Sequence, residues 1–303
     1  MNREATQQMP LRTEAVMGTL VTIHVVREAE DANAAIDRAF GWFHDIETRC
    51  TRFVPTSELM QLNAEPGMPV SVSPVLFEAI QFALRVAEES GGAFDPTVGH
   101  RMESRGFNRE HRTGQTITTP ASAGDVTFRD VVIDQEARTV TLRRQLTLDL
   151  GAVAKGLAVD MAARELEPFR DFAIDAGGDV YMGGSNPRGE PWLVGICHPR
   201  CEGELIETLS VSDRAVCTSG DYERRVLDEE HHILDPRTGN SPRRVASVTV
   251  VAPSAMLADA LATAAFVMGP DDGIEFLTGM GVEGLIFTPD LHRYETRGLR
   301  LAA

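Results

Sequence analysis

Residues 147–166 read TLDLGAVAKGLAVDMAAREL, and the periodicity changes midway through them. Thr147-Leu148-Asp149-Leu150 reads as a short strand. Beyond Gly151, Val153, Leu157 and Met161 recur at i, i+4 and i+8, which predicts a helix from Ala152 to Leu166. Working outward, Val131-Val132-Ile133 and Thr139 to Leu142 predict a hairpin across a turn-rich DQEAR. Phe172 to Asp175 predicts a strand that ends at Ala176-Gly177-Gly178. Towards the N-terminus, Leu20 to Val26 alternates like a strand, and Asp31 to Cys50 carries Ala35, Ala39, Phe43 and Ile46 at helical spacing. A second helix runs from about Pro74 to Ser90 and stops at Gly91-Gly92. The pattern fails between Gly106 and Ala123, which reads as loop. Ser247 to Ala252 predicts a strand, and Met256 to Met268 an Ala-rich helix behind Pro253 and Ser254. Strands and helices in this irregular order predict an α+β fold rather than a regular doubly wound sheet.

The 303 residues, 43% of them hydrophobic, suffice for one elaborate domain or two interlocked ones. Acidic residues outnumber basic ones 45 to 29, so the net charge of −16 argues against a nucleic-acid partner. The same charge repels small anions, so any phosphate chemistry here calls for a cation. Met1 to Pro10 has no apolar run of signal-peptide or membrane-span length, which gives an expectation of a cytoplasmic protein with no membrane span. Cys50, Cys197, Cys201 and Cys217 are too few for a disulfide framework. Cys197 and Cys201 lack a second pair at zinc-ligand spacing, so reduced thiols are expected.

Several segments could carry chemistry. The Leu148–Gly156 corner opens backbone groups and a helix N-terminus to a ligand and supplies one cation, Lys155. Taken alone it also reads as a tight junction with a surface lysine. Asp259 and Thr263 stand at i, i+4 amid small residues, two hard oxygens suited to Mg²⁺, or else an ordinary intrahelical pair. His231 and His232 precede a turn at Asp235-Pro236. Adjacent strand residues point to opposite faces, so at most one can enter a site as a general base. Gly91 to Gly99 forms a helix end and extended turn able to present backbone groups to a flat ring, and Phe53 is a candidate stacking side chain.

In their order, these segments resemble the ApbE family, the FAD:protein FMN transferases. The resemblance spans about residues 15 to 290. It rests on M-G-T at Met17, T-R-F-V-P-T-S-E-L at Thr51, F-D-P-T-V-G at Phe94 and L-D-L-G-A-V-A-K-G at Leu148. Further matches are D-A-G-G-D at Asp175, T-S-G-D-Y at Thr218, H-I-L-D-P-R-T-G at His232 and A-D-A-L-A-T-A at Ala258. The resemblance implies T-fold-like mixed sheets with packed helices and a site assembled between distant segments. It implies a single domain over 15–303, or two interlocked subdomains, behind a flexible N-terminal segment, 1–14.

Carried over by position, Met17, Phe53, Ala93, Phe94, Asp95, Asp149, Lys155 and Ile233 match FAD contacts of the family. Asp259, Thr263 and the Ala152 carbonyl match its metal ligands, and His232 its base. The implied reaction takes FAD as substrate with Mg²⁺ and moves FMN to a threonine of an acceptor flavoprotein, releasing AMP. A pyrophosphatase that splits FAD into FMN and AMP, and a protein that binds FAD without turnover, remain the alternatives. Phe53 stands where many relatives carry Tyr, and Ala262 where some carry a further metal-binding carboxylate.

Overall fold

The computed structural model describes residues 10–27, 29–110, 113–223, 225–226 and 230–302, the side chains of 225 and 226 excepted. In chain order, strands β1 (Leu11–Val16) and β2 (Thr19–Val25) precede helices α1 (Ala32–Cys50) and α2 (Glu58–Asn63). Next come β3 (Pro69–Ser71), α3 (Pro74–Glu89), α4 (Gly99–Ser104), β4 (Val131–Asp134) and β5 (Thr139–Leu142). Helix α5 (Gly151–Leu166) leads to β6 (Phe172–Ala176), β7 (Asp179–Gly183), β8 (Trp192–Cys197), β9 (Leu205–Val211) and β10 (Arg214–Gly220). The chain closes with β11 (Arg225–Val226), β12 (Glu230–His231), β13 (Ser247–Ala252), α6 (Ala255–Met268), α7 (Pro270–Gly279), β14 (Glu283–Phe287) and β15 (Arg293–Glu295).

Eight strands form one antiparallel sheet in the order β1-β2-β6-β7-β10-β13-β14-β15. Its central strands are buried on both faces, and their side chains divide between two cores. Ala215 and Cys217 of β10, with Val248 and Val250 of β13, face the main core, which also takes Ile36, Phe40 and Phe43 of α1 and Leu157 of α5. Val216 and Val251 point the other way, into a smaller core with Val180, Met182, Ile196 and Leu209 beneath the β8–β9 hairpin. This two-sided burial leaves every residue from Ser247 to Ala252 buried, the hydroxyls of Ser247 and Thr249 included.

Helices α5 and α6 cross at Gly156. A Cβ at Gly156 would come within 2.5 Å of the Met256 Cα and 2.6 Å of the Ala255 carbonyl oxygen, so only glycine permits this approach. Gly156→Ala is expected to cost about 2–3 kcal/mol through overpacking against backbone that cannot rotate away. The shift in urea midpoint measures it, and an unchanged midpoint would mean that the helices separate freely.

One turn further along α5, Asp160 accepts hydrogen bonds from the Ala255 and Met256 amides at 2.6 and 3.0 Å. It thereby caps the start of α6 together with Ser254, whose side chain accepts from Leu257 N. Burial raises the Asp160 carboxyl to about 6, against the pull of these amides and of Arg164. A carboxyl raised above its unfolded value favours folding most below the unfolded value near 3.8, and that contribution is lost as pH rises through about 6. Wild type should therefore lose about 2–3 kcal/mol relative to Asp160→Asn between pH 4 and 7. Parallel denaturation curves for the two proteins would overturn the assignment.

The structure departs from the sequence expectations at two boundaries. Thr147–Leu150 joins no sheet, apart from a single bridge between Thr147 and Val98, and Leu150, with ψ of 18°, already turns into α5. The reason is that its polar groups find other partners: Leu148 N donates to Asn63 Oδ1 at 3.0 Å and Asp149 N to the Pro96 carbonyl at 2.7 Å. Residues 11–14, assigned above to a flexible N-terminal segment, lie in β1 and pair with β2, and Arg12 bonds Asp37 of α1. Residues 1–9 of that segment lie outside the described residues.

Candidate active site

One end of the large sheet is built from tight turns. Val16 pairs with Thr19 across Met17 and Gly18, whose φ values of 53° and 76° make the two-residue turn suited to a twisted hairpin. Met17 is one of few non-glycine residues in this region of φ, and its amide donates to Glu47 Oε1 of α1 at 3.0 Å. Beside it, Gly177 and Gly178 join β6 to β7 by the same kind of turn, with φ of 65° and 93°. A side chain at Gly177 would collide with the Thr19 hydroxyl, so this glycine lets the two turns abut. Asp179, the first residue of β7, is buried and forms an ion pair with Lys155 of α5. That pair commits the cation expected at the strand–helix corner.

Helix α6 runs over this end of the sheet. From Ala258 to Val267 every residue is buried except Asp259 and Thr263, so the only opening in mid-helix is lined by a carboxylate and a hydroxyl one turn apart. Thr263 Oγ1 lies 3.4 Å from Ser219 Oγ of β10, bringing T-S-G-D-Y to the same place. Asp160 and Gly156 of α5 meet Ala255 and Met256, so α5 crosses α6 at the start of α6. Ala152 departs from helical geometry at φ −92°, ψ 16°, which turns its carbonyl away from the helix axis. The Cys217 thiol of β10 is held neutral by burial, the nearby Asp259 adding to the effect.

Among the described residues no cluster of three or more His, Cys, Asp or Glu could hold a metal. One carboxylate, one hydroxyl and one carbonyl nevertheless fit Mg²⁺, which binds few protein oxygens and completes its shell with water and phosphate. No helix among the described residues is long and apolar enough to cross a membrane.

The remaining sequence candidates differ in what they expose. Asp149 ends the extended segment, and its Oδ1 accepts from Gly151 N at 2.7 Å at the start of α5. Its Oδ2 accepts from the Arg52 guanidinium, whose Cζ lies 4.3 Å over the Phe53 ring. Ala93, Phe94 and Asp95 are all buried. The Asp95 carboxylate is consumed internally by Thr97 N, Thr97 Oγ1 and Phe128 N at 2.7 to 3.0 Å, and burial raises its pKa. What this turn can present to a ligand is therefore backbone. Ile233 is likewise buried.

The two histidines separate as their alternation predicts. His231 is buried, with Nε2 2.9 Å from the Pro242 carbonyl and its ring edge-on to Phe266 at 5.3 Å. His232 is half-buried, its Nδ1 3.4 Å from the Glu223 carbonyl. A carbonyl partner selects the tautomer protonated at Nδ1 and leaves the basic lone pair on Nε2. Arg101 of α4 and Arg105 just beyond its end hold the loop after His232 by bonding the Pro236 carbonyl and Asn240 respectively. Sequence reading passed over Arg52, Asp179 and Ser219 as individual residues although each stands inside a quoted motif; the only signal was their place in those runs.

Taken together, the abutting turns, the opening in α6 and the α5–α6 crossing define an α+β protein whose candidate site is gathered from segments spread over most of the chain. The ApbE family model matches residues 17–286, and the chain belongs to that family, whose curated members here are transferases. It is 34% identical to the FAD:protein FMN transferase of Treponema pallidum, over 92% of this chain and 84% of the relative. Identity to the enzyme of that name from Haemophilus influenzae is 30%, over 76% and 71%. Among solved structures, the ApbE protein of Thermotoga maritima superposes with a TM-score of 0.85 at 31% identity, covering 96% of this chain and 97% of that one. The flavin transferase ApbE of Vibrio cholerae gives 0.83 at 26% identity, over 96% and 97%.

Proposed function

We propose that this protein transfers FMN from FAD to a threonine hydroxyl of an acceptor flavoprotein, with Mg²⁺, and releases AMP. The observation that carries the reading is the opening in α6, where Asp259 and Thr263 are the two residues from Ala258 to Val267 that are not fully buried and Thr263 lies beside Ser219. The names of the relatives supply the substrate class.

Asp259, Thr263 and the Ala152 carbonyl would hold Mg²⁺, which when bound neutralises the diphosphate and stabilises charge on the leaving AMP phosphate. Lys155, buttressed by Asp179, is fixed in orientation rather than free to sweep the site. The threonine oxygen forms the new bond to the FMN phosphorus as the bond from that phosphorus to the AMP phosphate oxygen breaks. The hydroxyl proton passes to His232 Nε2. No covalent enzyme intermediate is invoked, so positioning and electrostatics supply the acceleration.

The span 15–303 acts as one domain, a reading supported by a single sheet that unites residues near both ends of the chain. The four cysteines are all free, which supports a reducing, cytoplasmic compartment.

The test is intact-mass spectrometry of an acceptor domain incubated with this protein, FAD and Mg²⁺. A gain equal to FMN less water, absent with EDTA, is expected. Unmodified acceptor with FMN and AMP accumulating would make the protein a pyrophosphatase, and retained FAD a binder.

A further inference from the structure

Arg52 is buried, 4% exposed, in a loop that leaves α1, and its guanidinium reaches three separate segments. Its Nε donates to Asp149 Oδ2, its Nη2 to the Phe107 carbonyl, and its Cζ lies over the Phe53 ring, 4.3 Å from the centroid. Nη1 faces Glu103 Oε1 at 3.8 Å, and among the described residues neither of these two atoms has a hydrogen-bond partner.

We infer that Arg52 is a positioning residue for the flavin substrate: it covers one face of Phe53, so that a planar ring can stack only on the other, and it fixes the carboxylate plane of Asp149. The inference rests on the reading above that Phe53 and Asp149 meet FAD. Burial keeps Arg52 itself from touching the substrate, so its effect passes through these two side chains. Only a planar fork can do both jobs: it stacks on a ring while donating from separate nitrogens to a carboxylate and a carbonyl. A lysine ammonium keeps the charge but offers neither the plane nor the fork. Glu103 gives the charge a second partner and holds the guanidinium from the side opposite Asp149.

The test compares wild type with Arg52→Lys by flavin-fluorescence titration, by visible-region circular dichroism of bound FAD at saturation, and by thermal melting. In the lysine variant the dissociation constant for FAD should rise about tenfold or more. The dichroism of saturated FAD should also change shape, because the ring is no longer held against one face of Phe53. If the lysine variant melts lower but binds FAD as wild type does, with the wild-type dichroism at saturation, Arg52 is a structural ion pair and the inference is overturned.

Should the lysine variant not fold, R52Q combined with E103Q removes the Arg52 and Glu103 charges together, while Asp149 keeps its hydrogen bond from Gly151 N. The same affinity loss and spectral change are expected of it, and wild-type values would again overturn the inference. Failure of wild type to bind FAD would overturn the functional reading together with this inference, and is told apart by appearing before any substitution is made.

Discussion

Asp259→Ala eliminates metal-dependent FAD turnover while the urea midpoint stays close to that of the parent protein. The expected loss is about a thousandfold or more, because the metal's share of transition-state charge stabilisation is several kcal/mol and Asp259 is the one carboxylate in the α6 opening. The fold should tolerate the change. Asp259 is only half-buried, its neighbours are already small, and alanine is the better helix former. Titration with Mn²⁺ or Mg²⁺ provides the second readout, since metal affinity must fall in parallel with turnover. A variant that still cleaves FAD in an EDTA-sensitive way would remove Asp259 from the site.

His232→Ala separates transfer from binding. Loss of a positioned base typically costs 10²- to 10⁴-fold, so flavinylation of the acceptor should fall by about that much. The dissociation constant for FAD should move by no more than about twofold, because in the proposed reaction the half-buried ring acts on the attacking hydroxyl and not on the flavin. His231 is the internal control. It is buried against Phe266 and the Pro242 carbonyl, so its replacement should cost stability and carry activity down only through misfolding. Equal loss of binding and transfer in His232→Ala would give His232 the same structural role.

Much of this was legible before any coordinates. Periodicity located α1, α3, α5, α6 and β13 to within a residue or two, because each buries a wide apolar face and is bounded by a cap or a glycine. The strands β7 to β10, β14 and β15 went unread. Some of them divide their side chains between two cores and so lose the simple alternation of a half-buried strand. Thr147–Leu150 was read as strand from its local pattern; the Asn63 side chain, some 85 residues away, and the Pro96 carbonyl take its amides in place of a neighbouring strand. The candidate site divides in the same way. The Asp259–Thr263 pair is local and visible at helical spacing. The bonds from Arg52 to Asp149 and from Lys155 to Asp179 join segments that the sequence keeps apart, and no spacing rule connects them.

The strand order of the large sheet bears on how the chain is made. The β1–β2 hairpin is complete by residue 25, yet its neighbour β6 begins at residue 172, so during synthesis one edge of the hairpin waits unpaired until half the protein has emerged. Such an edge invites pairing with other nascent chains, and non-local closure of this kind is slow. The waiting edge is modest in reach, since β2 is short and its next partner, once present, covers it from Val21 to Val25. If Met17, in the turn of that hairpin, and Thr263 both belong to the proposed site, that site is complete only after nearly the whole polypeptide has left the ribosome. Flavin supply would then act late, drawing the finished chain towards its native state rather than guiding the early steps.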